Sequence, residues 1–303
     1  MRTPTLLREL RVDPAVHPRG QTHLSSASAL VQAGPWLYLV ADDEHHLGLF
    51  EAAGDPSAPV ELKRLAAGEL AHDKGQRKKQ KPDLEALVLL EQGGQPVLRA
   101  LLALGSGSRS NRERGFLLEL DSECRPCGEA RAIDLSTLYR PLHEEFPDLN
   151  VEGAFVTGDE FRLLQRANRG DARNACISYP LADLLGWLAQ QRSAPPQPLR
   201  ITPYAIGEVA GVPLGFTDAA GLAGGAWIFS AVAEDTTDSY TDGACAGSVI
   251  GWVGADGTLE RMEWLAGAPK VEGIAVLTDG RIMLVTDADD PQTASCLLQL
   301  EIP

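Results

Sequence analysis

Four acidic residues occupy matched positions in this 303-residue chain. They are Glu85 in Asp83-Leu84-Glu85-Ala86-Leu87-Val88, Glu152 in Leu149-Asn150-Val151-Glu152-Gly153-Ala154-Phe155, Asp218 in Phe216-Thr217-Asp218-Ala219-Ala220, and Glu272 in Lys270-Val271-Glu272-Gly273-Ile274-Ala275-Val276. In each an acid is followed by a tiny residue and then an apolar residue or run. Ser26-Ala27-Ser28-Ala29-Leu30-Val31 is a weaker fifth copy, with the Ser28 hydroxyl in the acid's place. If folding brings these side chains together, four carboxylates cannot all remain ionised without a cation: either their pKa values rise or a metal sits among them. An all-oxygen set suits a hard cation, and Ca²⁺ tolerates irregular geometry better than Mg²⁺. The alternative is that each acid caps neighbouring backbone amides.

The elements that must position these residues are legible around them. The copies recur about every 55 to 65 residues, the signature of a repeated structural unit. Each copy is followed by a second short apolar run, such as Trp36 to Val40 or Ile282 to Val285, and then by a third, such as Leu47 to Phe50 or Cys296 to Leu300. The runs are rich in Val, Leu, Ile and aromatics and are bounded by Gly, Pro, Asp or Asn, which is strand-and-turn punctuation. Repeated units of several antiparallel strands describe the blades of a β-propeller. The chain therefore predicts an all-β, five-bladed β-propeller with short helical insertions, six blades being the alternative, in one domain spanning 1–303. The segment from Leu6 to Val12 is expected to pair with Leu297 to Ile302 and close the ring.

In a propeller the first strand of every blade lines a central channel. Ser28, Glu85, Glu152, Asp218 and Glu272 would thus converge as metal ligands. The antiparallel second strands return to the face where the first began. Their ends, and the loops after them, place Asp42, Asp43, Glu234, Asp235 and Asp287 on one side of the channel mouth. Arg109, Arg112, Arg166, Arg169 and Arg173 fall on the other. Such a mouth suits a small anionic ligand, because Arg grips phosphate in bidentate fashion. Asp42 and Glu234 are the candidates to orient water, Arg166 to stabilise developing charge, and Arg109, Arg169 and Asp287 to hold substrate. The alternative is charge pairs that merely hold loops together. His45 and His46 are the mouth histidines, read as candidate base or ligand.

Composition narrows the classes. A net charge of −15 argues against a nucleic-acid or anionic-membrane partner. The N-terminal residues carry no secretory apolar core, and no apolar run approaches the roughly 18 residues of a membrane span. A cytoplasmic monomer is expected. The five cysteines are odd in number and scattered, unlike a disulfide framework. The single CxxC of Cys124 and Cys127 reads as a hairpin tip. Residues 75–81 read as a solvated loop or, more sharply, as an anion-contacting one. The segments from Leu135 to Phe146 and from Leu181 to Gln191 read as helices.

Taken together, the pattern resembles the soluble calcium-activated nucleotidases, the apyrases with a five-bladed propeller. The similar stretches are Val40-Ala41-Asp42-Asp43, Gln165-Arg166-Ala167 and Val271-Glu272-Gly273-Ile274. The resemblance implies a central Ca²⁺ held by Ser28, Glu85, Glu152, Thr217 or Asp218, and Glu272. It also implies hydrolysis of a phosphate ester. The blades carrying Glu-Gly are similar to uncharacterised bacterial phytase-like or esterase-like propellers as well. The other reading is a non-catalytic propeller whose calcium only ties the blades together.

Overall fold

The computed structural model describes residues 1–93, 98–168, 170–235 and 244–301. They form five antiparallel sheets arranged as the blades of a β-propeller. Blade one comprises the strands Ala27–Ala33, Trp36–Ala41, His46–Glu51 and Glu61–Arg64. Blade two comprises Leu84–Gln92, Leu98–Gly105, Arg114–Glu119 and Arg131–Asp134, and blade three Val151–Thr157, Glu160–Gln165, Asn174–Pro180 and Arg200–Tyr204. Blade four runs Val212–Gly221, Trp227–Asp235, Ala244–Val253 and Leu259–Trp264, with the short strand Glu208–Val209 added at its inner edge. Blade five has Val271–Val276, Ile282–Thr286 and Cys296–Leu300, and its outermost strand is Thr5–Glu9 from the other end of the chain. That pairing closes the ring where the sequence places it.

Two-residue periodicity explains why the blades stack. Successive side chains of a strand point to opposite faces, so each sheet presents apolar residues to both neighbours. Tyr38 and Val40 pack toward blade two with Leu87 and Leu101, while Leu37 and Leu39 pack toward blade five with Ala275 and Met283. Five such clusters lie between the five neighbouring pairs of blades. The first strands contact one another in order around the channel, blade five meeting blade one. Tiny residues permit that approach. A Cβ on Gly153 would stand 3.1 Å from the Asp218 Cα, and one on Gly273 would stand 2.9 Å from the Ala29 backbone.

One feature recurs in every blade. The register between first and second strands slips at Ser28, Glu85, Glu152, Thr217 and Glu272, leaving one extra residue on the inner strand each time. The residue matching Glu152 in blade four is therefore Thr217. Asp218 stands one place further on, matched with Ala86, Gly153 and Gly273. The residue that shares a hydrogen bond across the mouth end of each sheet is Asp42, Ser106, Arg166 or Asp287 in four of the blades. In blade four the register gives Val232, opposite Gly215. Glu234 lies two residues beyond it, and so in a higher layer than the even spacing of second-strand ends suggests.

Among the described residues, three α-helices lie between the strands. Residues 75–81 are not a loop: Lys74–Gln80 is a helix, α1, capped by the Asp73 carboxylate accepting from the Gln76 amide at 2.8 Å. It has no apolar periodicity to announce it. Asp73 three places before Gln76 has the spacing of a capping box, and that was the available signal. Ser136–Glu145 (α2) and Leu181–Leu188 (α3) agree with the expected helices. Both bury leucines in the core between blades two and three. The CxxC lies in the turn between the last two strands of blade two, with Cys124 buried and Cys127 exposed. Among the described residues, no helix is long and apolar enough to cross a membrane.

Candidate functional site

The channel mouth is where charge is concentrated. Alternation along the inner strands places residues two before each slipped position on the same face as it. Lys270 thus joins Glu272, Asp83 joins Glu85, and Asn150 joins Glu152. Lys270, Asp83 and Asp289 take part in the site, and the sequence reading missed them; Lys81, which also takes part, ends the segment read as an anion-contacting loop. The spacing of two was the signal that could have found the first pair.

Arg166 sits among acids of three blades. Its Nη2 donates to Glu234 at 2.8 Å, and its Nη1 lies 3.5 Å from Glu152 and 3.6 Å from Glu272. The side chain is only 13% exposed, so it is a largely buried cation, more than a residue of the outer mouth. It lies over Gly215, where a Cβ would come within 2.8 Å of it. Lys270 Nζ lies 2.6 Å from Asp289, 3.4 Å from Glu234, 3.5 Å from Asp287 and 3.6 Å from Glu272. Burial works against both cations, but the surrounding carboxylates hold them protonated.

A second cluster joins blades one and two. Lys81 Nζ is paired with Asp42 and stands 2.8 Å from Asp83, while Arg112 is 2.7 Å from the other Asp83 oxygen. The Ser106 hydroxyl donates to Asp83 at 2.6 Å. Burial pushes the Asp42 carboxyl up, whereas Lys81 is held as an ammonium. The ammonium is the secure half of that pair, because it faces two carboxylates at once. Burial also opposes ionisation of Asp83, but Lys81 and Arg112 keep it below the ordinary range. Two cations here stand against three acids, and burial together with Glu152 drives the Glu85 carboxyl well above its usual range. Among the described residues, Asp42, Asp83 and Glu85 bring one donor atom each within 4.8 Å of one another. An all-oxygen set of this kind fits a hard divalent cation.

The remaining predicted residues separate clearly. Burial, with Glu272 nearby and Arg166 opposing, raises Glu152 to about 8; burial likewise raises Glu272, one of whose oxygens has no hydrogen-bond partner. The buried Ser28 hydroxyl donates to the Ser26 carbonyl. Asp218 does not take the place expected for it in the ring. Its oxygens accept from the amides of Leu30 in blade one at 3.2 Å, Ile274 in blade five at 2.9 Å and its neighbour Ala219 at 2.8 Å. It caps backbone, stitching three blades together. Thr217, the true positional match, bonds the Ser230 hydroxyl and the Val271 carbonyl.

Arg109 is exposed, before a short 3-10 turn at Ser110–Arg112. Arg173 binds Asp171 and Glu145 and lies over Phe146, away from the ring acids. Arg169 and the side chain of Asp235 lie outside the described residues. His45 and His46 do not line the mouth cleft. Burial lowers His46 to about 4, which leaves it neutral at physiological pH. The cleft itself, about 60 Å³, lies between α1 and blade five, with Asp42, Lys81, Asp287 and Asp289 among its lining residues.

Residues 23–302 match the model of a family of unknown function, DUF6929. The chain belongs to that family. No curated protein matches it. Among solved structures, a candidate glycoside hydrolase from Parabacteroides distasonis is similar over 99% of this chain and 93% of its own, at 10% identity and a TM-score of 0.51. A bifunctional GH43-CE protein from Bacteroides eggerthii is similar over all of this chain and 35% of its own, at 9% identity and a TM-score of 0.52. A glucose dehydrogenase aligns over 94% of the chain at 12% identity, with a TM-score of 0.43. At these identities the likeness concerns the propeller fold. Within DUF6929, this chain's charged mouth is what its own geometry offers as a site.

Proposed function

We propose that this propeller binds Ca²⁺ at its channel mouth and hydrolyses a phosphate or other ester there, as a cytoplasmic monomer with neither nucleic-acid nor membrane partners. The observation that carries the reading is the convergence of Asp42, Asp83 and Glu85 beside a cleft lined with lysine and arginine. Asp42 belongs to both, so the cation and the cleft share a wall. A bound Ca²⁺ would polarise the ester oxygen and stabilise charge on it.

The chain's own residues supply the rest. Arg77, Lys78 and Lys81 hold the anionic group, and Arg166 adds positive charge from within the ring. Asp42 or Glu234 orients the attacking water. Glu152, kept protonated to about 8 by burial, is a proton donor at neutral pH. Arg109, Arg169 and Asp287 remain the proposed outer contacts to substrate.

Calorimetric titration of Ca²⁺ into chelator-treated protein tests the metal. One site is expected, lost in Asp83→Asn. A panel of phosphate, carboxylic and lactone esters, with and without Ca²⁺, tests the reaction. Absence of Ca²⁺ uptake by the unaltered chain ends this reading.

A non-catalytic, ligand-binding propeller is the second reading. It is favoured by Arg166 and Lys270, which already stand between the acids as built-in cations. Ca²⁺ uptake without turnover on the whole panel selects it.

A further inference from the structure

The carboxylates of Asp42 and Asp83 already have a cation between them, and it belongs to the chain. Lys81 Nζ is paired with Asp42 and stands 2.8 Å from Asp83, on a side chain 9% exposed. Its backbone is pinned: the Lys81 amide donates to the Arg77 carbonyl at 2.8 Å, and its carbonyl accepts from Asn111 Nδ2 at 3.2 Å. Pro82 follows. The ammonium therefore moves only through the rotamers of its flexible four-carbon stem.

Charge and space both let it leave. As metal ligands must be ionised, Asp42, Asp83 and Glu85 would carry three negative charges, and Arg112, 2.7 Å from Asp83, offsets one. Of the two that remain, the ammonium neutralises one and a divalent cation neutralises both. Lys81 also lines the cleft beside α1, which is about 60 Å³ in volume. A water takes about 10–15 Å³ of such space, and an ammonium is of similar size, so the cleft can receive it. Asp287 and Asp289 line the same cleft, which keeps a displaced ammonium among carboxylates. Lys270, just as buried, does not line the cleft and has no such exit.

We infer that Lys81 is the tethered counter-ion of the metal site: its ammonium holds Asp42 and Asp83 when no divalent cation is present, and Ca²⁺ enters by displacing it into the cleft. This rests on Asp42, Asp83 and Glu85 as the metal ligands and not on hydrolysis. It also links the two halves of the site, since only an ammonium released from Asp42 and Asp83 can meet a ligand in the cleft.

The test is calorimetric titration of Ca²⁺ into the chelator-treated full chain and its variants, with melting curves to confirm folding. A site open only when the ammonium is out has its affinity lowered by that fraction, so Lys81→Met should bind Ca²⁺ at least about tenfold more tightly than the unaltered chain. Lys81→Gln, which keeps a polar group, should act in the same direction. Lys74→Met removes an exposed charge from the same cleft and should change the affinity by less than about threefold, because solvent screens it. On the unaltered chain, amine acetylation located by mass spectrometry follows the ammonium directly: Ca²⁺ should raise labelling of Lys81 several-fold and leave Lys74 unchanged. Ca²⁺ uptake by Lys81→Met but not by the unaltered chain supports the inference while ending the calcium-hydrolase reading. Equal affinity with and without the ammonium overturns the inference. So does an equal gain in Lys74→Met, a Lys81 as protected with bound Ca²⁺ as without it, or no uptake by any folded variant.

Discussion

Ion pairs at the channel mouth and on the outer edge of the blades are built from the same residue types and differ in burial. Arg166 meets Glu234 at 2.8 Å with both side chains 13% exposed. Arg125 meets Glu61 across the rims of blades one and two at 2.8 Å, with side chains 34% and 53% exposed. Solvent screens the rim pair and leaves it a small net effect. At the mouth, removing one partner strands a charge that water cannot reach. Charge at the rim therefore decorates the fold, whereas charge at the mouth both holds the fold and perturbs acid–base behaviour. Asp218 marks the limit of that contrast: a buried acid satisfied by backbone amides in place of cations.

Asp218→Ala is the sharpest test. It leaves three buried amides on three strands without an acceptor, at about 1–3 kcal/mol each. A loss of about 4 kcal/mol in urea unfolding is expected. A loss below about 1 kcal/mol would show that the ring closes without this stitch. Arg166→Ala should cost about 3 kcal/mol, since it leaves the largely buried Glu234 carboxylate without its nearest cation. The same change at Arg125 should cost no more than about 0.5 kcal/mol. If the two arginine variants unfold at the same urea concentration, burial is not what separates mouth from rim.

A pH experiment probes the same difference. The folded Glu152 titrates near 8 against a reference of 4.5, so between those values the folded state holds more protons than the unfolded one. Stability from this group is full below pH 4.5 and is lost as pH rises to about 8. Glu152→Gln should flatten part of that decline; the rest belongs to Glu85 and Glu272, which are raised in the same direction. A profile identical to the unaltered chain's would place the titration elsewhere. Arg125→Ala should leave the profile unchanged, and this is the smallest effect expected.

Much of this arrangement could be read before folding was considered. Glu85, Glu152 and Glu272 stand at equivalent positions of three first strands, as the repeat implied, and the tiny residue after each lets the inner strands crowd together. Blade four departs from the pattern for a physical reason. Hydropathy cannot locate a one-residue bulge, and Thr217-Asp218 offers two polar candidates side by side. α1 left only its capping-box spacing as a signal, because its stability comes from that cap and from pairs such as Arg77 with Asp43, which leave no apolar stripe.

The amino-acid sequence by itself determined the propeller architecture, the closing strand and the inner-strand positions of Glu85, Glu152 and Glu272, because two-residue alternation and repeated turns are local properties. Only the tertiary structure decided which charges meet. Lys81 reaches Asp42 across 39 positions of chain, and Arg166 reaches Glu272 across blades. Those pairings depend on how neighbouring sheets stack and where each inner strand slips, and burial then sets whether a carboxylate keeps its proton.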